Sequence, residues 1–117
     1  MNILTEIMDW NIDRDNLSYS CVREGSMIQE EVEELGLAFR EGTEVDEADA
    51  YADIIFVAVG SLLKLCKGDK QKVLDILMVV TAANNLKTKD VDGNGKIVKP
   101  DGFASPEGMI EAILDGR

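Results

Sequence analysis

Histidine is absent from this chain, and its 117 residues include only two cysteines, Cys21 and Cys66. Neither cysteine has a CxxC partner. Zinc fingers, Ser-His-Asp triads and Cys-His nucleophiles are therefore excluded together. Basic residues are also scarce, with 12 Lys and Arg against 23 Asp and Glu and a formal charge of −11. Nucleic acid polymers and anionic membranes select clustered Lys and Arg, so neither is expected as the main partner. A phosphate-bearing substrate would need metal ions to enter so acidic a protein. No charge-free apolar run reaches the ~20 residues of a membrane span. The segment Met1 to Trp10 has no basic cluster leading into a long apolar run, so it does not read as a signal peptide. The expected setting is a reducing cytoplasm, with both thiols as small core hydrophobes, and the length suits one domain, 1–117.

What is present is helical periodicity. Ile3, Ile7 and Trp10 predict a short helix over 2–10, followed by a polar connection from Asn11 to Asn16. A second helix is predicted from Ser20 to Arg40, stopped at Gly42, and a third from Val45 to Lys67. A fourth runs from Lys70 to Leu86 with Val73, Ile76, Leu77 and Val80 inward. Gly93-Asn94-Gly95 signals a turn or hairpin, and Ser105-Pro106-Glu107 reads as an N-cap and first helical proline opening a last helix toward Leu114. The class is all-α.

Two acidic clusters carry the chemistry. In Glu30-Glu31-Val32-Glu33-Glu34, residues three and four apart are neighbours on a helix, so Glu31 and Glu34 can share one hard cation, with Glu30 one step round and Glu33 pointing away. Glu31 and Glu34 edge an apolar stripe of Ile28, Val32, Leu35 and Phe39. On the next helix Asp46, Asp49 and Asp53 project from the face of Phe56, Val57 and Gly60. Asp49 and Asp53 run into the apolar stretch Ile54 to Val57, which draws Asp53 toward the interior, where an ionised aspartate needs a partner. Carboxylates meeting on two inner faces repel by about 4 kcal/mol per pair at ~4 Å and an effective dielectric near 20. A divalent cation relieves this, and oxygen-only ligands select Mg2+ or Mn2+.

The order Glu-Glu-x-x-Glu34, then Asp49-Ala-x-Ala-Asp53 leading to Gly60, resembles the all-α nucleoside triphosphate pyrophosphohydrolase superfamily, which includes MazG-like and phosphoribosyl-ATP pyrophosphohydrolase-like proteins. In the tail, Asn84-x-x-Lys87, a Gly-rich turn, Gly95-Lys-Ile-Val-Lys99-Pro-x-Gly-Phe103 and Pro106 resemble the end of the phosphoribosyl-ATP pyrophosphohydrolase-like branch of phage and bacterial genomes. The likeness spans roughly residues 20–110. It implies a four-helix core assembled as a homodimer or homotetramer, a magnesium site between the acidic helices, and cleavage of a nucleoside triphosphate to monophosphate and pyrophosphate. The metal ligands would be Glu31, Glu34, Asp49 and Asp53, with Asp49 standing in because Ala50 occupies the position of the usual Glu in Glu-x-x-Asp. Glu30, Glu31 and Glu34 are the expected catalytic acids, Glu30 binding a second ion or orienting the water. Asn84 would read a base or sugar edge, Lys87 and Lys99 the phosphates, and Phe103 would stack on a base or close the core.

Two other readings compete. Asp90-x-Asp92-x-Asn94-Gly95-x-Ile97, with Asp101 in twelfth place, matches an EF-hand loop and suggests a non-enzymatic calcium or interaction module. Lys99-Pro100 and Gly102 oppose it, standing where the exit helix should start. Phosphoribosyl-ATP hydrolysis is the alternative among enzymes.

Overall fold

The computed structural model describes residues 2–99, 102 and 105–116. Among these, five helices form and no strand: α1 (Ile3–Asp13), α2 (Cys21–Glu41), α3 (Glu44–Leu65), α4 (Lys70–Asn84) and α5 (Glu107–Leu114). The class is all-α, as the periodicity predicts. No helix among the described residues is long and apolar enough to cross a membrane. The chain divides into two compact units, Met1–Lys70 and Gln71–Arg117.

Local chemistry sets the helix starts in the first unit. The Asn2 side chain accepts from the Thr5 N–H, and Ser20 Oγ accepts from the Arg23 N–H, each filling an otherwise orphan donor of a first turn. At α3, Thr43 Oγ1 takes the Asp46 N–H while Asp46 Oδ2 takes the Thr43 N–H at 2.9 Å, a reciprocal capping box. Asp46 is thus an exposed cap rather than part of a buried face, because its carboxylate is spent on the helix start. Gly42 caps α2 with φ −99° and ψ −174°, an extended conformation and not the left-handed stop the sequence suggests. It is needed for another reason: a Cβ there would lie 2.9 Å from the Cα and carbonyl oxygen of Ala38.

Only Gly42 and Thr43 separate α2 from α3, so the two helices fold back antiparallel and pack along their length, with α1 against another side of α3. Met8 and Leu63 are fully buried, joined by Ile7, Ala38, Ala50, Val59 and Cys66. Each large side chain of this kind contributes about 1.5–3 kcal/mol. Trp10 meets the edge of Phe56 at 5.1 Å. Asn11 lies inside α1, not in a connection. Its Nδ2 donates to the Ile7 carbonyl and its Oδ1 accepts from Asn16, which allows burial beside Gly60.

Two packing expectations are corrected. On α2 the strip turned inward is Glu24, Ile28, Glu31, Leu35 and Ala38, a 3.5-residue repeat, whereas Val32 and Phe39 are 51% and 56% exposed. Helix α3 packs along one side of α2, so residues beyond that seam stay wet. Cys66 is buried, but Cys21, the first residue of α2, is exposed.

In the second unit, α4 buries Val73, Ile76 and Ala83 and half-buries Leu77 and Val80. A single antiparallel bridge, Val91 to Ile97, closes the glycine turn, with Asp92 Oδ1 accepting from the Asn94 and Lys96 N–H groups. Pro106 sits at the N-cap of α5 rather than inside its first turn, and Ser105 Oγ accepts from the Glu107 N–H at 3.3 Å.

Candidate metal centre

Glu31 and Glu34 are separated by nearly one turn of α2, and Asp53 faces them from α3. One carboxylate oxygen from each of the three lies within 4.8 Å of the others. Glu31 and Asp53 are half-buried and Glu34 is exposed, so the cluster opens on one side. Glu31 Oε2 is buried and accepts no hydrogen bond from any of the described residues. Burial first, then the bond to and repulsion from Glu34, then the charges of Asp53 and Glu30, hold the Glu31 carboxyl above its ordinary pKa. An orphaned buried carboxylate oxygen beside two further acids is a site that lacks positive charge, and a hard cation fits its all-oxygen donors. Zinc and copper would prefer nitrogen or sulfur.

The flank of the cluster is a groove of about 380 Å³ lined by Glu34, Leu37, Ala38, Glu41, Gly42, Asp46, Asp49, Ala50 and Asp53. Five of these nine residues are acids and none is basic. A free phosphate chain would be repelled from such a surface; one carrying divalent cations would be attracted.

Of the ligands expected from sequence, the structure brings together Glu31, Glu34 and Asp53. Asp49 lines the groove but lies outside that trio, and Glu30 is an exposed neighbour whose charge acts on Glu31. Asn84, Lys87 and Lys99 belong to the second unit. Asn84 ends α4 and donates its Nδ2 to the Val80 carbonyl at 2.9 Å, Lys87 is half-buried and Lys99 exposed. Pro100, Asp101 and Phe103 lie outside the described residues. The EF-hand-like stretch has no helix abutting its described part at either end: α4 stops at Asn84, and α5 starts at Glu107.

One buried polar group escaped the sequence reading. Glu24 Oε1 accepts from Lys64 Nζ at 2.8 Å and from Ser61 Oγ at 3.0 Å, and Glu24 Oε2 accepts from Arg23 Nε at 3.1 Å. The Glu24 and Lys64 side chains are 4% and 3% exposed. Burial pushes the Glu24 carboxyl up, but the bonds from Lys64, Ser61 and Arg23 outweigh it and hold the pKa below the ordinary value. The available signal was Lys64 itself, a lone cation within the apolar run from Ile54 to Leu65.

Comparison with known proteins agrees with this geometry. No curated protein and no solved structure matches the chain. Residues 6–66, just over half of the chain and including all three clustered carboxylates, match the family described as phosphoribosyl-ATP pyrophosphohydrolase. Two acidic helices packed antiparallel, converging on an orphaned carboxylate within that matched span, place the chain in the phosphoribosyl-ATP pyrophosphohydrolase family of the all-α nucleoside triphosphate pyrophosphatase superfamily, hydrolases of nucleotide-type substrates.

Proposed function

We propose that the protein is a Mg2+-dependent nucleoside triphosphate pyrophosphohydrolase that releases pyrophosphate and leaves a nucleoside monophosphate. The observation that carries this reading is the Glu31–Glu34–Asp53 cluster with its unbonded buried oxygen. Glu31, Glu34 and Asp53 would hold the cation, with Mn2+ as an acceptable substitute and Asp49 available from the groove wall. When bound, the cation supplies charge neutralisation at phosphate oxygens and lowers the pKa of bound water. Glu30, the adjacent exposed acid, is assigned to orient the attacking water and take its proton. Water adds to the α-phosphorus, the bond from that phosphorus to the α,β-bridging oxygen breaks, and pyrophosphate departs carrying that oxygen. Asn84 is assigned to the base or sugar edge, and Lys87 and Lys99 to the negative charge of the phosphate tail.

The family match favours a second substrate, phosphoribosyl-ATP, whose hydrolysis breaks the same kind of bond. A panel of ribo- and deoxyribonucleoside triphosphates together with phosphoribosyl-ATP, assayed for pyrophosphate with and without Mg2+, decides between them. Metal-dependent release from the triphosphates supports the main reading. Turnover of phosphoribosyl-ATP alone would replace it, and turnover without added metal after chelation would remove the cation from the proposal. The same reading includes a homodimer or homotetramer in the cytoplasm, assembled through the exposed apolar side chains of the first unit.

A further inference from the structure

We infer that the buried Glu24–Lys64 ion pair, with Ser61, is a positioning device that locks α2 and α3 in the register bringing Glu31 and Glu34 to Asp53, an inference that rests on the cation reading above. Glu24 lies seven residues, two helical turns, before Glu31 on the same seam of α2. Lys64 lies eleven residues, three turns, after Asp53 on the corresponding face of α3. Because the helices run antiparallel, the pair sits in the same interface as the acids, about two turns deeper. The other end of the hairpin is held by the short Gly42-Thr43 connection. Between these points the seam holds Ile28, Leu35 and Ala38 together with the clustered carboxylates, whose mutual repulsion opposes the register in which they meet.

The pair has the character of a specificity element. Two charges removed from water often stabilise a fold no better than an apolar pair of similar volume, but they tolerate only the alignment in which they meet. A slide of one turn, about 5.4 Å, would leave an unpaired ammonium and an unpaired carboxylate buried. An apolar seam would accept such a slide with little penalty. Both Glu24 oxygens are held, one by Lys64 and Ser61 across the interface and one by Arg23 on its own helix, which fixes the carboxylate's direction as well as its place. Neither residue belongs to the trio that would hold the cation, so the role is positioning.

The test uses the full-length chain with Cys21→Ser and spin labels at Glu33→Cys and Ala48→Cys, two exposed positions on α2 and α3, diluted with unlabelled chain. Pulsed dipolar spectroscopy reads the interhelical distance, and calorimetric titration with Mn2+ alone reads the metal site. In Glu24→Met/Lys64→Met we expect a folded protein whose distance distribution broadens or shifts and whose Mn2+ affinity falls about tenfold, the size of effect that outer-shell supports produce. Glu24→Gln/Lys64→Gln, which keeps a hydrogen-bonded pair, should lie closer to the parent on both measures. If the double methionine variant does not fold, Ser61→Ala carries the same comparison by removing one bond across the interface. An unchanged narrow distance with parental Mn2+ affinity would overturn the positioning role and leave the pair as packing. Failure of the parent to bind Mn2+ would instead overturn the cation reading, and the distance measurement would still decide whether the pair sets the register.

Discussion

Glu34 and Asp53 differ from most acids of the chain in that neutralising them should cost function while sparing the fold. Glu34→Gln and Asp53→Asn preserve volume and each delete one anionic ligand. Activity should fall by more than the ~10–100-fold typical of changes outside the ligand shell. Thermal melting of the metal-free variants should be no lower than the parent's, since repulsion within the cluster is relieved. Parental turnover in both variants would place the chemistry elsewhere. The lysines of the tail bear on a different quantity. Lys99→Ala should chiefly raise KM and Lys87→Ala chiefly lower kcat, with Mg2+ binding unchanged in both; unaltered kinetics would remove them from the substrate.

Buried Glu24 and half-buried Glu31 also give opposite pH dependences. Glu31 has a raised folded-state pKa, so it favours the metal-free fold most below the ordinary glutamate value of about 4.3 and withdraws that support as pH rises through the raised value. Glu24 has a lowered folded-state pKa, so its support is present above about 4.3 and disappears as pH falls through the lowered value. Melting curves in chelator should therefore lose their decline above pH ~4.3 in Glu31→Gln but retain the acid-side loss. A profile unchanged by Glu31→Gln would show that this carboxyl does not titrate out of line.

At the scale of the helices, the α2–α3 hairpin depends on its two-residue connection. Thr43→Ala removes the hydroxyl that accepts the Asp46 N–H and should cost about 1 kcal/mol, a shift of roughly 4 °C in Tm. Gly42→Ala should cost more, about 1–3 kcal/mol, because its methyl meets Ala38 backbone atoms, which cannot swing away, as well as Asp46 Oδ2 of the capping box. Calorimetric scans of the two variants check the order. The helices were legible because stop signals and apolar spacing are local properties. Gly42 and the Ser20 cap mark boundaries that the structure keeps within a few residues. The inward face of α2 was harder to read. Val32 and Phe39 are apolar but exposed, while Glu24 and Glu31 are charged and turned inward, so hydrophobicity pointed one residue round from the true seam. Glu31 became legible through its partner at Glu34 and the acids of the next helix. The Glu24–Lys64 bond spans 40 positions, and no local pattern announces it.

At the scale of the whole molecule, the first unit leaves much apolar surface uncovered. Ile3, Trp10, Tyr51 and Ile55 are all at least 40% exposed, and a mostly apolar groove of about 530 Å³ runs between α1 and α3. Helix α3 is apolar nearly all the way round from Ile54 to Leu65, and the first unit covers that circumference only in part, with Ile55 and Leu65 still open to water. Covering that surface with a second copy is the expected solution. Light scattering at micromolar concentration should report at least a dimer; a monomer of 12.8 kDa would remove the assembly from the proposal. Cys21 was expected in a core and is on the surface, because its place in the first turn after Ser20 faces outward.

The brevity of the Gly42-Thr43 connection also bears on how the protein reaches its native state. Helices joined by two residues meet after a minimal search, since loop-closure entropy is small and the contacts are close in sequence. The three carboxylates, all on this hairpin, are therefore expected to converge early in folding. Refolding from denaturant should accelerate with ionic strength or millimolar Mg2+, and Glu34→Gln should refold faster than the parent in chelator. The barrier to folding would then carry the electrostatic signature of the site.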